Sequence, residues 1–416
     1  MIAWHPNPRV MDLSVEKAAL LLLIAAVVTI LSRRLRMPYS VGLVAAGIVI
    51  ALVPSAPQVN LTRNLLFTIL LPPLIFEAAL SLDWKKLRKD LAVVLVLATV
   101  GVLLSATVTT IGMHLLVQWP WITAMLFGAL ISATDPVSVI ALFRGENVRG
   151  RLQLLIESES LFNDGTAAVL FAILVAASAG QSFTPWQITG RIAITIGGSL
   201  VCGGVVALVA LLLAGRTNDH LVELTFTTVA AYGSFLLAED LHLSGVLATL
   251  VAGLMLGNMR TRGAISERGR EALEAFWEYA AFIANSFVFL LIGMREGHEN
   301  FRGSWGPIAI GILVVVLARA LAVYPCCSLF ARSSLRVTVR HQHVLFWGGL
   351  RGALALALAL ALPFDLPHRD SVISISFAVV AFSIFVQGLT LKPLLRKFDE
   401  LPDHGMETSH EGEGVR

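Results

Sequence analysis

Apolar residues run along this chain in long unbroken stretches, with polar residues gathered in short patches between them. Taken in turn, the stretches predict thirteen helical segments, at roughly 15–32, 38–53, 61–81, 91–115, 120–143, 150–178, 187–214, 221–238, 243–258, 279–294, 305–330, 341–362 and 372–394. Most approach the ~20 apolar residues that carry a helix across a bilayer core. Their polar and apolar positions do not alternate, which favours helices over a barrel. The last residues, 397–416, hold the polar run FDELPDHGMETSHEGEGVR and predict a short disordered tail.

The basic residues test this segmentation. Eighteen Lys and Arg fall in every second loop, seven on the alternate side, and four after the last segment. A wrong segment count would scramble that alternation. By the positive-inside rule the N-terminus is expected outside and the C-terminus in the cytoplasm of a multi-pass plasma-membrane protein. Thirteen segments divide as six, one and six: a repeat over about 15–178, a linking helix at 187–214, and a second repeat over 221–396. All belong to one membrane domain, 1–396. The single linking helix makes the second repeat enter from the opposite side, the inverted plan of many secondary transporters. That plan predicts interrupted helices at equivalent positions. The fifth segment carries ISATDPVSV, where Pro136 lacks an N–H. The twelfth, fifth of its own set, carries FWGGLRGALAL, where Gly348, Gly349 and Gly352 weaken the helix.

Composition agrees. Of 416 residues 56% are hydrophobic and 14% charged, against about 25% charged in soluble domains. A mean hydropathy of +0.78 excludes a soluble protein. The net charge of +3 gives no sign of nucleic-acid binding. Cys202, Cys326 and Cys327 lie in apolar runs without CxxC spacing, so neither a metal site nor a disulfide framework is expected. The first apolar run lacks the basic flank of a cleavable signal peptide.

An ionisable residue at mid-membrane costs roughly 2.5–3.5 kcal/mol on insertion scales, so each such residue is a functional candidate. Seven fall inside predicted segments: Glu77, Asp135, Glu157, Glu159, Asp164, Arg319 and Arg351. Five acids against two arginines suit a cation. The sequence LIESESLFNDGTAAVL places Asp164 halfway along the sixth segment. Ser160 and Glu157 precede it by four and seven residues and share its helix face. Asn163 points elsewhere. Glu159 is rotated away from Asp164 and is expected to pair with Arg351 across the two repeats. Arg319 is expected to pair with one of the acids. Asp135 can cap the half-helix after its break, and Thr134 offers a carbonyl and a hydroxyl. Glu77 reads as an entry acid or a cap, and Glu157 as an acid near the cytoplasmic helix end. His114, His242, His341 and His343 lie near segment ends and read as interfacial. Removal from water makes a carboxyl group hold its proton more readily. A single such aspartate holds a proton or a monovalent cation, and exchanges them one for one. The neighbouring Asn163 does not titrate.

The stretches LPPLIFEAALSLD, ISATDPVSVIALF, ESLFNDG, HLSGVLATLVAGLMLGN and WGGLRGALALALAL, in this order along the chain, closely resemble the electroneutral sodium/proton exchangers of the cation:proton antiporter superfamily. The resemblance covers about residues 15–396. It implies an all-α polytopic fold of about thirteen helices with discontinuous helices five and twelve, a dimer, and elevator-like movement. It implies Na+ binding at Asp164, Ser160 and Thr134, with Asn163, Asp135 and Glu77 nearby, and a buried Glu159–Arg351 pair. It implies no enzyme activity and no cofactor beyond the transported Na+ and H+. Ser158 stands where many prokaryotic members have glycine, and the long regulatory domain of the animal exchangers is not seen. Potassium/proton exchange and a cation channel are the alternatives. An aspartyl protease with Asp135 and Asp164 as its dyad would resemble others in a G-x-G-D stretch, and here the sequence is LFND.

Overall fold

The computed structural model describes residues 15–35, 37–53, 62–146, 148, 150–181, 184–217, 219–259, 266–298 and 305–398. Residues 1–14 and nearly all of the predicted tail lie outside these. Every regular element described is a helix. In chain order they are α1 (Val15–Arg34), α2 (Tyr39–Ala51), α3 (Leu71–Ser81), α4 (Trp84–Val96), α5 (Val102–Val117), α6 (Trp121–Ser132), α7 (Val137–Gly145), α8 (Arg151–Ser178) and α9 (Pro185–Ala214). Then follow α10 (His220–Asp240), α11 (Gly245–Met259), α12 (Glu267–His298), α13 (Trp305–Ser328), α14 (Val339–Trp347), α15 (Ala353–Leu360), α16 (Arg369–Phe382) and α17 (Gly388–Lys397). Short π-helical turns at Leu65–Leu70, Leu97–Gly101 and Ser383–Gln387 lead into α3, join α4 to α5, and join α16 to α17.

Nine helical runs among the described residues have the length and apolar composition to cross a membrane. The second, third and ninth predicted segments are covered by shorter apolar helices, and the twelfth by the pair α14 and α15. Two helices start well before the apolar signal does. The stretch α4 to α5 begins at Trp84 rather than near 91, because Asp83 caps it by accepting the Lys85 N–H at 2.8 Å. Helix α12 begins at Glu267 rather than near 279. Its first turns, ERGREALEAF, are too polar to register as an apolar run yet remain helical.

The helices pack as two groups. In the first, α2 lies along α12, α3 along α11, and α9, α10 and α11 on one another, with α1 on α2 and α12. Glycines bring these helices close, as small residues do in membrane bundles. A Cβ on Gly293 of α12 would lie 3.0 Å from the Cα of Gly47 in α2, and one on Gly253 of α11 would lie 2.8 Å from the Phe76 carbonyl of α3. The second group joins α4, α5, α6 and α8 to α13, α15 and α16, with α14 and α17 at its edge. The groups meet where α8 touches α11 and α9, α2 touches α7, and α12 touches α16. At one of these meetings the hydroxyls of Ser40 and Ser138 are 2.6 Å apart.

The π turn before α3 has a local cause. Pro72 and Pro73 lack N–H groups, so carbonyls about one turn earlier lose their partners. The Tyr232 hydroxyl of α10 donates to one of them, that of Ile69, at 3.1 Å. Tyr232→Phe is expected to cost about 1 kcal/mol of stability. The check is the thermal melting of the detergent-solubilised protein, which should drop by a few degrees while the folded protein remains monodisperse.

Candidate functional site

Two helices stop inside the second group and resume. Helix α6 ends at Ser132 and α7 begins at Val137; α14 ends at Trp347 and α15 begins at Ala353. The unwound stretches cross, and the Asp135 N–H donates to the Leu350 carbonyl at 2.8 Å. Each break frees backbone groups that a bilayer interior cannot hydrate. Side chains at the crossing take them up. The Asp135 carboxylate accepts the Val137 N–H at 2.9 Å and lies beside the Ala353 N–H. One carboxylate thus faces the positive N-terminal ends of both half-helices. Gly352 makes room for it, because a Cβ there would overlap the Asp135 carboxylate. At the opposite pole, Arg351 Nη1 donates to the Ser132 and Ala133 carbonyls at 2.8 and 3.1 Å, where α6 ends. Ser383, in the last π turn, accepts the Arg351 N–H at 3.0 Å and donates to the Arg351 carbonyl at 3.2 Å.

Helix α8 passes behind this crossing. Asn163 is fully buried and all its bonds are structural. Its Nδ2 donates to Thr134 Oγ1 at 2.6 Å and to Glu159 Oε1 at 3.0 Å, and its Oδ1 accepts the Thr134 N–H at 3.2 Å. The hydroxyls of Thr134 and Ser160 are 2.9 Å apart. Asn163 and Ser160 therefore fix Thr134, in the first break, against α8. Glu159 corrects one expectation. Its partner is Arg319 of α13, which donates from Nη1 and Nη2 to the two carboxylate oxygens at 2.8 and 2.9 Å. Arg319 Nη2 also donates to the Leu345 carbonyl at 3.0 Å. The pair does not form with Arg351, because the carbonyls freed at the end of α6 engage that guanidinium. Gly349 closes the arrangement, since a Cβ there would lie 2.5 Å from Arg319 Nε.

Asp164 differs from all of these. Its Oδ1 is buried and has no hydrogen-bond partner among the described residues. It lines a cavity of about 860 Å³ together with Thr134, Asp135, Glu77 and Glu157. Arg33, Glu146, Lys392 and Arg396 also line this cavity, from the ends of α1, α7 and α17. Lys392 and Glu146 form an ion pair. Glu157 accepts a bond from Gln153 Nε2 at 2.9 Å. Ser160, Asn163, Glu159, Arg319 and Arg351 stay outside the cavity wall.

Of the histidines, His114 contacts the Trp119 carbonyl at 2.7 Å and stacks on Trp121, and His343 bonds the Tyr324 hydroxyl at 2.7 Å. None of the described histidines lines the cavity. The cavity residues that escaped the sequence reading include Glu278 and, two turns further along α12, Asn285. Its signal was there: Asn285 and Ser286 are the only strongly polar residues in the stretch AAFIANSFVFLLIG, residues 280–293.

Residues 21–397 match the transmembrane sodium/hydrogen exchanger family. The chain is 37% identical over 374 residues to the low-affinity Na+/H+ antiporter NhaS1 of Synechocystis sp., covering 88% of this chain and 71% of that one. It is likewise 37% identical over 379 residues to the Na+/H+ antiporter ApNhaP of Aphanothece halophytica, covering 90% and 72%. Its fold is similar to that of the sodium proton antiporter MjNhaP1 from Methanocaldococcus jannaschii, with a TM-score of 0.75 over 92% of this chain and 97% of that one at 18% identity. The chain belongs to the transmembrane sodium/hydrogen exchanger family, a family of transporters and not of enzymes.

The changed ion pair can be tested directly. Removing one partner of a buried pair costs ~3–5 kcal/mol, whereas replacing both by apolar residues often costs little. Arg319→Leu and Glu159→Leu should each lower thermal stability sharply, and the double variant should recover most of the loss. Arg351→Leu combined with Glu159→Leu should show no such recovery. Melting curves of the single and double variants decide between the two arginines.

Proposed function

We propose that this protein exchanges Na+ for H+ across the plasma membrane, one for one and without net charge movement. The observation that carries this reading is the unpartnered Asp164 oxygen lining a large cavity at the crossing of two interrupted helices. Every other ionisable group of the crossing has a structural task. Asp135 holds two helix ends, Arg351 a third, and Glu159 and Arg319 hold each other. Asp164 alone has oxygen to offer. It takes a proton or a cation, and each expels the other. Asn163 beside it carries no charge and holds Thr134, so a single carboxylate sets the stoichiometry.

In this reading Na+ is cargo, held by Asp164 with the hydroxyls of Ser160 and Thr134 close by. The cavity is lined by Arg33, Lys392 and Arg396, which fall on the side that the loop charges assign to the cytoplasm. It is therefore read as the inward-facing pathway. Access alternates when the second helix group, carrying both breaks and α8, shifts against the first. The first group is the natural scaffold for a homodimer, with the N-terminus outside and the C-terminus in the cytoplasm. Names of similar proteins support Na+ over K+: NhaS1, ApNhaP and NhaG of Bacillus atrophaeus are each called Na+/H+ antiporters.

The test is proton flux in proteoliposomes loaded with a pH dye, with Na+, Li+ or K+ added in turn. Wild type should give Na+-driven flux indifferent to membrane potential, and Asp164→Asn should give none. The apparent affinity for Na+ should fall as pH is lowered, because protons claim the same carboxylate. Flux that survives in Asp164→Asn would remove the site from Asp164, and flux driven only by K+ would change the cargo.

A further inference from the structure

The cavity has two walls, one from each helix group. The second group supplies Thr134, Asp135 and Asp164. The first group supplies two carboxylates, Glu77 and Glu278, and a stretch of apolar residues, including Leu71, Leu74, Ile75, Ala281 and Phe282. Asn285 stands among these. It is 7% exposed, and its carboxamide has no hydrogen-bond partner among the described residues. The amide opens on the cavity rather than into the packed interior, where a residue kept for packing alone would be apolar. It lies in the middle of α12 and caps nothing. It joins α12 to no neighbouring helix by a hydrogen bond. The next residue, Ser286, points away from the cavity and has a buried hydroxyl without a partner. What remains for Asn285 to meet is whatever fills the cavity.

We infer that Asn285 is a cation-handling residue on the wall facing the exchange site: its carboxamide oxygen takes the place of a water on the Na+ ion as the ion approaches Asp164. Carbonyl oxygens replace hydration in this way in ion-selective pores. The group is neutral, so it stabilises the ion without holding it as a carboxylate would. It belongs to the helix group that does not carry Asp164. Its contact with the ion is therefore made while the cavity is open and lost when the groups shift. The carboxamide acts on entry and release, and on the choice among alkali cations. This inference rests on the reading of Asp164 as the exchange site.

The experiment measures Na+ and Li+ dependence of proton flux in proteoliposomes for wild type, Asn285→Ala and Asn285→Asp, each checked for a monodisperse elution profile. Asn285→Ala should raise the apparent KM for Na+ about tenfold, the worth of one hydrogen-bond-like contact to a charged group. Its maximal rate should stay near wild type, and its Na+/Li+ preference should change. Asn285→Asp, which keeps an oxygen in place, should restore a KM at or below that of wild type. If the alanine variant does not fold, Asn285→Ser replaces it and should show the same direction. An unchanged KM and cation preference, with or without a lower rate, overturns the inference while wild-type Na+ exchange stands. Absence of Na+-driven flux in wild type overturns the antiport reading and takes this inference with it.

Discussion

Backbone polar groups inside a bilayer must find partners within the protein, and this molecule breaks two helices where that demand is strictest. The crossing of the two unwound stretches answers it. Asp135 faces the N-terminal ends of two half-helices, Arg351 donates to the carbonyls at the end of a third, and one backbone bond, from Asp135 to Leu350, ties the breaks together. Charge sign follows helix polarity throughout: the negative group faces N-terminal ends and the positive group a C-terminal end. Gly352 and Gly349 are needed for space. One leaves room for the Asp135 carboxylate and the other for the Arg319 guanidinium.

Once the crossing is fixed, α8 is fixed with it. Asn163 spans from the first break to Glu159, and Glu159 continues to Arg319 on α13. This chain of bonds runs from a break in the first predicted repeat, through the helix carrying Asp164, to a helix of the second. It holds the second helix group together without using Asp164. The first group is held differently, by close glycine contacts such as Gly47 with Gly293 and Gly253 with Phe76. The two groups thus have separate means of cohesion.

Much of this was legible in the sequence, for physical reasons. Apolar runs mark helices because the bilayer demands them; Pro136 marks a break because it lacks an N–H, and the glycines at 348, 349 and 352 because they weaken a helix. The charges in those runs pointed to the crossing. What was not legible was partnership. Arg319 and Arg351 both lie in apolar segments, and sequence spacing does not say which one reaches Glu159. The answer depends on which carbonyls the break exposes, and those belong to a different helix. The polar starts of α4 and α12 were missed because apolar runs reveal the buried part of a membrane helix and not its interfacial turns. Asn285 was missed because neutral polar residues were weighed only beside an intramembrane charge or a helix break, although a neutral amide among apolar residues is also out of place.

The same bonding explains why the aspartate and its asparagine neighbour are not interchangeable. Asn163 uses both donor and acceptor capacity at once, accepting from the Thr134 N–H and donating to Thr134 Oγ1 and Glu159. An ionised carboxylate in its place has no N–H to donate and would face Glu159, an acid it cannot bond. Asp164 sits one residue on, rotated by about 100° around a helix of 3.6 residues per turn, and that rotation carries it from the bonded interior to the cavity wall. The helix therefore needs an amide at one position and an acid at the next. One position holds Thr134 and Glu159 in place, and the other leaves a carboxylate oxygen without a hydrogen-bond partner at the cavity wall.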